Sequence, residues 1–247
     1  MTDQVESRFI EVDGLRAHLT LPAAGTPPRA ATLLLPMITG IGKRVREFGE
    51  SVTARTGALT LAWDPWHGKC SDDTEFAELQ RLHAALDDET ALHEQRRLLD
   101  HLRREFGTPA PSVAGWCLGG RLALILGART PELSAVVAFH PTLPLEPEPG
   151  HSIDAIDAAG AIAAPVMVHY PGKDSLVPWE NFTRLQTALQ GRDTESATIV
   201  HLYPRAKHGF SDDRRHGEQV NADAWAVSWP QTLEFLKSTA NRKGKDA

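Results

Sequence analysis

A cysteine sits between glycines in "GWCLGG", residues 115–120, in a chain of 247 residues that has one other cysteine, Cys70. An apolar run ends there, and the helix-like stretch "RLALILGART" follows at once. A residue on so tight a strand-to-helix turn is lifted out of the sheet, and its neighbours must be small. Gly115, Gly119 and Gly120 meet that need. The helix behind the turn offers free backbone N–H groups and a positive dipole end. Both lower the pKa of a thiol and hold a developing oxyanion. The competing reading of Cys117 is a small buried residue, the common fate of a free cysteine. The glycine frame favours a nucleophile.

A thiol nucleophile needs a base, and the base needs a group to orient it. In a parallel sheet these follow in the order nucleophile, acid, histidine, each just past a strand end. The acid candidate is Asp174 in "VMVHYPGKDSLVPW", where an apolar run stops at Pro171-Gly172. The histidine candidate is His208 in "IVHLYPRAKHGF". Taken singly, Asp174 reads as a turn residue or helix cap and His208 as a loop residue. Together, in this order and each after its own apolar run, they point to a Cys-His-Asp arrangement.

The elements that must hold these residues follow from hydrophobic spacing. "RFIEVDGLRAHLTLP" predicts a hairpin turning at Asp13-Gly14. "AATLLLP", "GALTLAWDP", "PSVA", "SAVVAFH" and "APVMVHY" are short continuous apolar runs, the pattern of strands buried on both faces. "SATIVHLYP" reads as a last strand. Helical spacing covers "IGKRVREFGESVTART", two stretches between Thr74 and Phe106 with a cap at Asp87-Asp88, the stretch from Arg121 to Arg129, "NFTRLQTALQ", and a final helix carrying Trp225, Trp229 and Phe235. A proline-rich loop, residues 141–163, is placed to cover a pocket. The alternation predicts an α/β fold in one domain, residues 1–247. It has a mostly parallel central sheet with helices on both faces and an N-terminal antiparallel hairpin.

Composition narrows the function. The net charge is −6, charged residues make up 23%, and the two signs are mixed along the chain, so neither nucleic acid nor an anionic membrane is expected as a partner. No apolar stretch is long enough to span a bilayer. The start, "MTDQVESRFI", lacks a basic region followed by an apolar run. Two cysteines make no disulfide framework, so the expectation is a cytoplasmic protein with reduced thiols. The eleven histidines form no HxxxH pair or tight cluster along the chain, and no metal or organic cofactor is expected.

"GWCLGG", "GKDSLVP" and "AKHGF", in this order and with "DPW" after "LTLAW", resemble the dienelactone hydrolase family of α/β-hydrolases. The resemblance runs from about Arg8 to Leu236. It implies the α/β-hydrolase fold, a triad of Cys117, His208 and Asp174, and a small-molecule substrate among lactones and esters, enol lactones being the type case. Two departures stand out. The family often has a glutamate after the first buried strand, where "LPMITGIG" has Met37. Some members also carry an arginine a few residues beyond the histidine. Here Ser211 and Asp212 come first, with Arg214 and Arg215 further on, and Arg81 lies in the earlier helical region.

The expected course is attack by Cys117 on the carbonyl, proton transfer by His208, orientation by Asp174, and hydrolysis of the thioester by water. The backbone N–H groups of Leu118 and Ile38 are the expected oxyanion donors. Met37, Trp66, Trp116, His140, Trp179 and Phe210 are candidate pocket residues. Core or rim packing is the competing reading for the tryptophans, and a satisfied strand-end position for His140. Cys70, on a polar loop with no helix directly behind it, is set aside as a nucleophile. Two rival functions remain open: a thiol-dependent esterase or thioesterase with an unrelated acyl substrate, and a non-catalytic binding module on the same fold. Oligomeric state is not read from the sequence.

Overall fold

A computed structural model describes residues 5–240. Eight strands form one sheet: β1 Glu6–Val12, β2 Leu15–Leu21, β3 Ala31–Leu35, β4 Leu59–Trp63, β5 Ser112–Trp116, β6 Val136–Phe139, β7 Val166–Pro171 and β8 Thr198–Tyr203, in the order β1-β2-β4-β3-β5-β6-β7-β8. The β1–β2 and β2–β4 pairs are antiparallel, and every later pair is parallel. The hairpin turns at Asp13 and Gly14 with φ of 51° and 84°, the left-handed pair that matches the twist of the flanking strands. Strands β3 to β7 are buried along their whole length, as their unbroken apolar runs require.

Among the described residues seven α-helices flank the sheet: α1 Lys43–Thr56, α2 Phe76–Ala85, α3 Asp88–Phe106, α4 Leu118–Ala128, α5 Ala155–Ala159, α6 Trp179–Gln190 and α7 Gln219–Ala240. The pleat divides the core in two. Leu33 and Leu35 point to one face with α3, α4, α5 and α6, while Leu34 points to the other with Val45 and Phe48 of α1 and Leu233 and Phe235 of α7. Each such side chain contributes about 1.5–3 kcal/mol through burial. Asp87 caps α3 by accepting a hydrogen bond from the Thr90 N–H at 2.9 Å. Helix α4 starts at Leu118, not at Arg121. Gly119 and Gly120 are weak helix formers, but close packing holds them in the first turn. Within residues 141–163 the chain also forms α5, capped by Asp154. Among the described residues no helix is long and apolar enough to cross a membrane.

Candidate active site

The parallel strands all point their carboxyl ends the same way, and the residues that could do chemistry lie just beyond them. Cys117 follows β5 at the N-terminus of α4, with φ 55° and ψ −115°, a conformation that costs energy for any residue with a Cβ. Backbone bonds hold it there. The Cys117 N–H donates to the Phe139 carbonyl at 3.0 Å, and the Cys117 carbonyl accepts from Arg121 and Thr142 at 3.0 and 3.1 Å. The surrounding glycines are obligatory. A Cβ on Gly115 would lie 2.0 Å from the Gly119 carbonyl oxygen, and one on Gly119 would lie 2.0 Å from the Leu35 oxygen. At Gly120 the Phe139 oxygen would be 2.9 Å away.

Asp174 follows β7 and His208 follows β8, neighbouring strands in register from Val166↔Thr198 to Pro171↔Tyr203. Beyond the strands, Gly172 and Lys173 donate backbone N–H bonds to the Tyr203 and Ala206 carbonyls and tie the two loops together. The Asp174 Oδ2 lies 2.8 Å from His208 Nδ1. Its Oδ1 accepts from the Leu176 N–H at 2.8 Å, so both carboxylate oxygens are engaged and the side chain is fully buried. The other imidazole nitrogen, Nε2, is buried without a hydrogen bond of full geometry and couples electrostatically to Cys117.

Burial pushes the Cys117 thiol up. The His208 charge, with the Thr142 hydroxyl and the Leu118 N–H, outweighs it and holds the thiol below its ordinary range. For His208 the balance has the opposite sign. Burial alone would lower it, but Cys117 and Asp174 raise it well above an ordinary imidazole. The two shifts run in opposite directions, the sense that a thiol activated by an imidazole requires. Thr142, two residues past His140, brings its hydroxyl to 3.1 Å from the sulfur. Sequence reading missed Thr142. It follows β6, and only the pairing of β5 with β6 brings it to the thiol.

The segment after β3 is a turn in which the Gly40 N–H donates to the Met37 carbonyl at 3.0 Å. It presents Met37 and Ile38 to the cavity wall. Trp66 is the strut beneath it, its indole N–H donating to the Ile38 carbonyl at 2.8 Å. Asp64 holds that tryptophan's own turn, accepting from the Trp66 and Gly68 N–H groups at 3.2 and 2.9 Å. The Leu118 N–H is free of any carbonyl partner in its helix, while the Gly119 N–H is taken by the Pro36 carbonyl at 3.1 Å. Thus Leu118 is the available donor on the Cys117 side.

Cys117 opens into two clefts. One, of about 430 Å³, is lined by Met37, Ile38, Phe76, His140, His208, Asp212, Arg214 and Arg215. The other, of about 310 Å³, is lined by Ile38, Leu118, Thr142, His83, Glu148 and Leu176. Several candidate pocket residues lie elsewhere. Trp116 is fully buried, stacked between Phe48 at 4.5 Å and Phe139 at 5.6 Å, because a side chain preceding the elbow points into the opposite core layer. Trp66 is buried beneath the Met37–Gly40 turn. Trp179 opens α6 with 59% of its surface exposed, on neither cleft wall. Phe210 is buried behind His140, their rings 5.6 Å apart. His140 does reach the cavity wall. Its Nε2 is 2.8 Å from the Ser211 hydroxyl, and its ring stands 4.7 Å from that of His208. Burial, then the His208 charge, keep its pKa far below the ordinary value, so it stays neutral beside the imidazolium. Cys70 is buried against Asp73, and burial pushes its thiol up. Arg81 is spent on Glu78 at the surface.

The sequence profile of the Dienelactone hydrolase family matches residues 15–240. The chain belongs to the dienelactone hydrolase family. It is a hydrolase of the carboxylic ester class on the α/β-hydrolase fold. The carboxymethylenebutenolidase of Rhodococcus opacus is 28% identical over 213 residues, covering 83% of this chain and 79% of its own. A Yersinia pestis relative is 28% identical over 228 residues, covering 91% and 84%. Among solved structures, a Klebsiella pneumoniae protein superposes with a TM-score of 0.81 at 22% identity, covering 95% of this chain and 99% of its own. A dienelactone hydrolase-like promiscuous phosphotriesterase from metagenomic libraries has a TM-score of 0.74 at 19% identity, covering 97% and 99%.

Proposed function

We propose that the protein hydrolyses lactones or esters through a thioester on Cys117, with His208 as the proton carrier and Asp174 as its orienter. The observation that carries this reading is the juxtaposition of a depressed thiol, a raised imidazole and a buried carboxylate bonded to the far imidazole nitrogen. The thiolate attacks the carbonyl carbon. The tetrahedral oxyanion is met by the Leu118 N–H and by the N–H of Ile38, each worth about 3–4 kcal/mol to the transition state. The imidazolium gives its proton to the leaving oxygen, and neutral His208 then activates water to cleave the thioester. The two clefts meeting at Cys117 suit the two halves of an ester. In the larger one Asp212 is neutralised by Arg214 at 2.6 Å, while Arg215 has no ion pair among the described residues. That unbalanced charge favours an acyl group carrying a carboxylate.

The test is a panel of enol lactones, short neutral esters, esters bearing a carboxylate and acyl thioesters, read by kcat/KM and by mass spectrometry of the quenched enzyme. An acyl adduct on Cys117, and loss of all turnover in Cys117→Ala, are expected. Full turnover in Cys117→Ala overturns the mechanism. A strong preference for thioesters supports the thioesterase alternative, which shares the triad.

A further inference from the structure

The proposed hydrolysis does not use His83 and Glu148 on the wall of the smaller cleft, nor His151 just behind them on the wall of a neighbouring cavity. His83, in the last turn of α2, faces Glu148 and His151 of the loop between β6 and α5. His83 Nε2 and His151 Nε2 lie 3.7 and 3.9 Å from Glu148 Oε2, and the three ligand atoms all fall within 4.8 Å of one another. These gaps are too long for hydrogen bonds. The His151 side chain is 8% exposed, and its Nε2 is buried without a partner among the described residues. Burial lowers the pKa of both His83 and His151. Two imidazoles and a carboxylate whose ligand atoms lie within 4.8 Å of one another make a donor set for a borderline metal ion.

The local structure holds this set in place. "EPGH", residues 148–151, is a tight turn in which the His151 N–H donates to the Glu148 carbonyl at 3.0 Å, with Pro149 second and Gly150 third at φ 83°. The turn sets residues 148 and 151 side by side. It docks on the end of α2, where a Cβ on Gly150 would lie 2.1 Å from the Leu86 oxygen. Asp88 clamps the following residues by accepting the Ser152 and Ile153 N–H groups at 2.8 and 2.9 Å, and Arg121 holds Asp88 in turn at 2.9 Å. Metal–ligand bonds of about 2.0–2.1 Å place tetrahedral ligand atoms about 3.3–3.4 Å apart, so sub-ångström side-chain shifts close the site. Ligation by His151 Nε2 moves the ring proton to Nδ1 and gives up the long 3.3 Å bond from the Glu148 N–H.

We propose that His83, Glu148 and His151 form a binding site for a divalent ion of the zinc class, which fastens the 148–151 turn to α2 and leaves one coordination position open to the cleft beside Cys117. The site is independent of whether Cys117 acts as a nucleophile. Cobalt(II) is the probe, because its visible spectrum distinguishes nitrogen and oxygen ligands from thiolate. Titration of the full chain at neutral pH is expected to reach saturation at one ion per chain. The spectrum should lack a sulfur charge-transfer band, and affinity should be the same in Cys117→Ala. A lost ligand costs at least what a lost outer-shell partner costs, so His83→Ala and Glu148→Gln should each bind about tenfold or more weakly. Cobalt should raise Tm in the wild type and in Cys117→Ala, but not in His83→Ala, a change at a partly buried side chain whose metal-free Tm confirms folding. The proposal is overturned by no saturable binding at millimolar cobalt, by unchanged affinity in both ligand variants, or by a sulfur band that disappears with Cys117.

Discussion

Cys117 carries a charge problem that its neighbours solve. In the proposed mechanism a buried thiolate would be costly alone, and three things would offset that cost: a protonated His208, the Thr142 hydroxyl at 3.1 Å and the Leu118 N–H. Asp174 acts at one remove, fixing the imidazole so that Nε2 rather than Nδ1 faces the sulfur. Asp174→Asn keeps the shape but loses the charge and the tautomer control, so kcat should fall about 10³–10⁴-fold. The same variant should raise the pKa of Cys117, measured as the inflection in iodoacetamide alkylation against pH. In the wild type that inflection is expected below the usual thiol value of about 8.5. An inflection unchanged by the substitution would remove Asp174 from the network. At this scale residue type and order carried the information, since Cys117, Asp174 and His208 were legible as a set. Thr142 was not, because nothing in "HPT" marks it until β6 is known to lie beside β5.

The elements show why these residues stay where they are. The elbow between β5 and α4 is packed backbone to backbone, so its glycines cannot be exchanged. In Gly119→Ala the new methyl would meet the Leu35 carbonyl at 2.0 Å, and backbone cannot swing aside as a side chain does. A cost of about 3 kcal/mol or more is expected, read as a drop in the urea midpoint or as loss of soluble protein. The turn after β3 depends on a neighbour from β4. Trp66→Phe keeps the packing and removes the 2.8 Å bond to the Ile38 carbonyl, which frees the Ile38–Thr39 peptide and loosens the turn that positions the adjoining Ile38 N–H. About a tenfold fall in kcat with KM nearly unchanged is expected, the pattern of a donor aligned for the transition state. The "DPW" motif was visible in the sequence as a resemblance. Its physical role was not, because Asp64 and Trp66 act on a segment from a different strand. The boundary of α4 was misplaced for a related reason: propensity disfavours glycine in a helix, and tertiary packing overrode it.

At the scale of the whole molecule, four buried histidines tie stability to pH. His18 and His151 are lowered to about 4, and His140 and His169 lie well below 6.5, in each case chiefly through burial. Unfolded, all four would take up protons near 6.5, so the unfolded chain binds more protons below that pH and stability falls as pH drops from about 6.5 towards 4. His208 acts in the opposite sense, its contribution being lost only as pH rises towards its raised value. A lower urea midpoint at pH 5.5 than at pH 7.5 is the expected result, and equal midpoints would contradict it. The alternation of apolar runs with helical spacing, the Asp13-Gly14 hairpin and the placing of Cys117, Asp174 and His208 each after its own apolar run were determined by the sequence itself. Each rests on local sterics or on burial patterns that repeat every two or 3.6 residues. Tertiary structure alone decided that the candidate tryptophans lie off the cleft walls, which hydroxyl meets the sulfur, and that His83 faces Glu148 and His151. Those contacts join residues far apart in the chain, and strand order in the sheet, which no local pattern encodes, sets their distances.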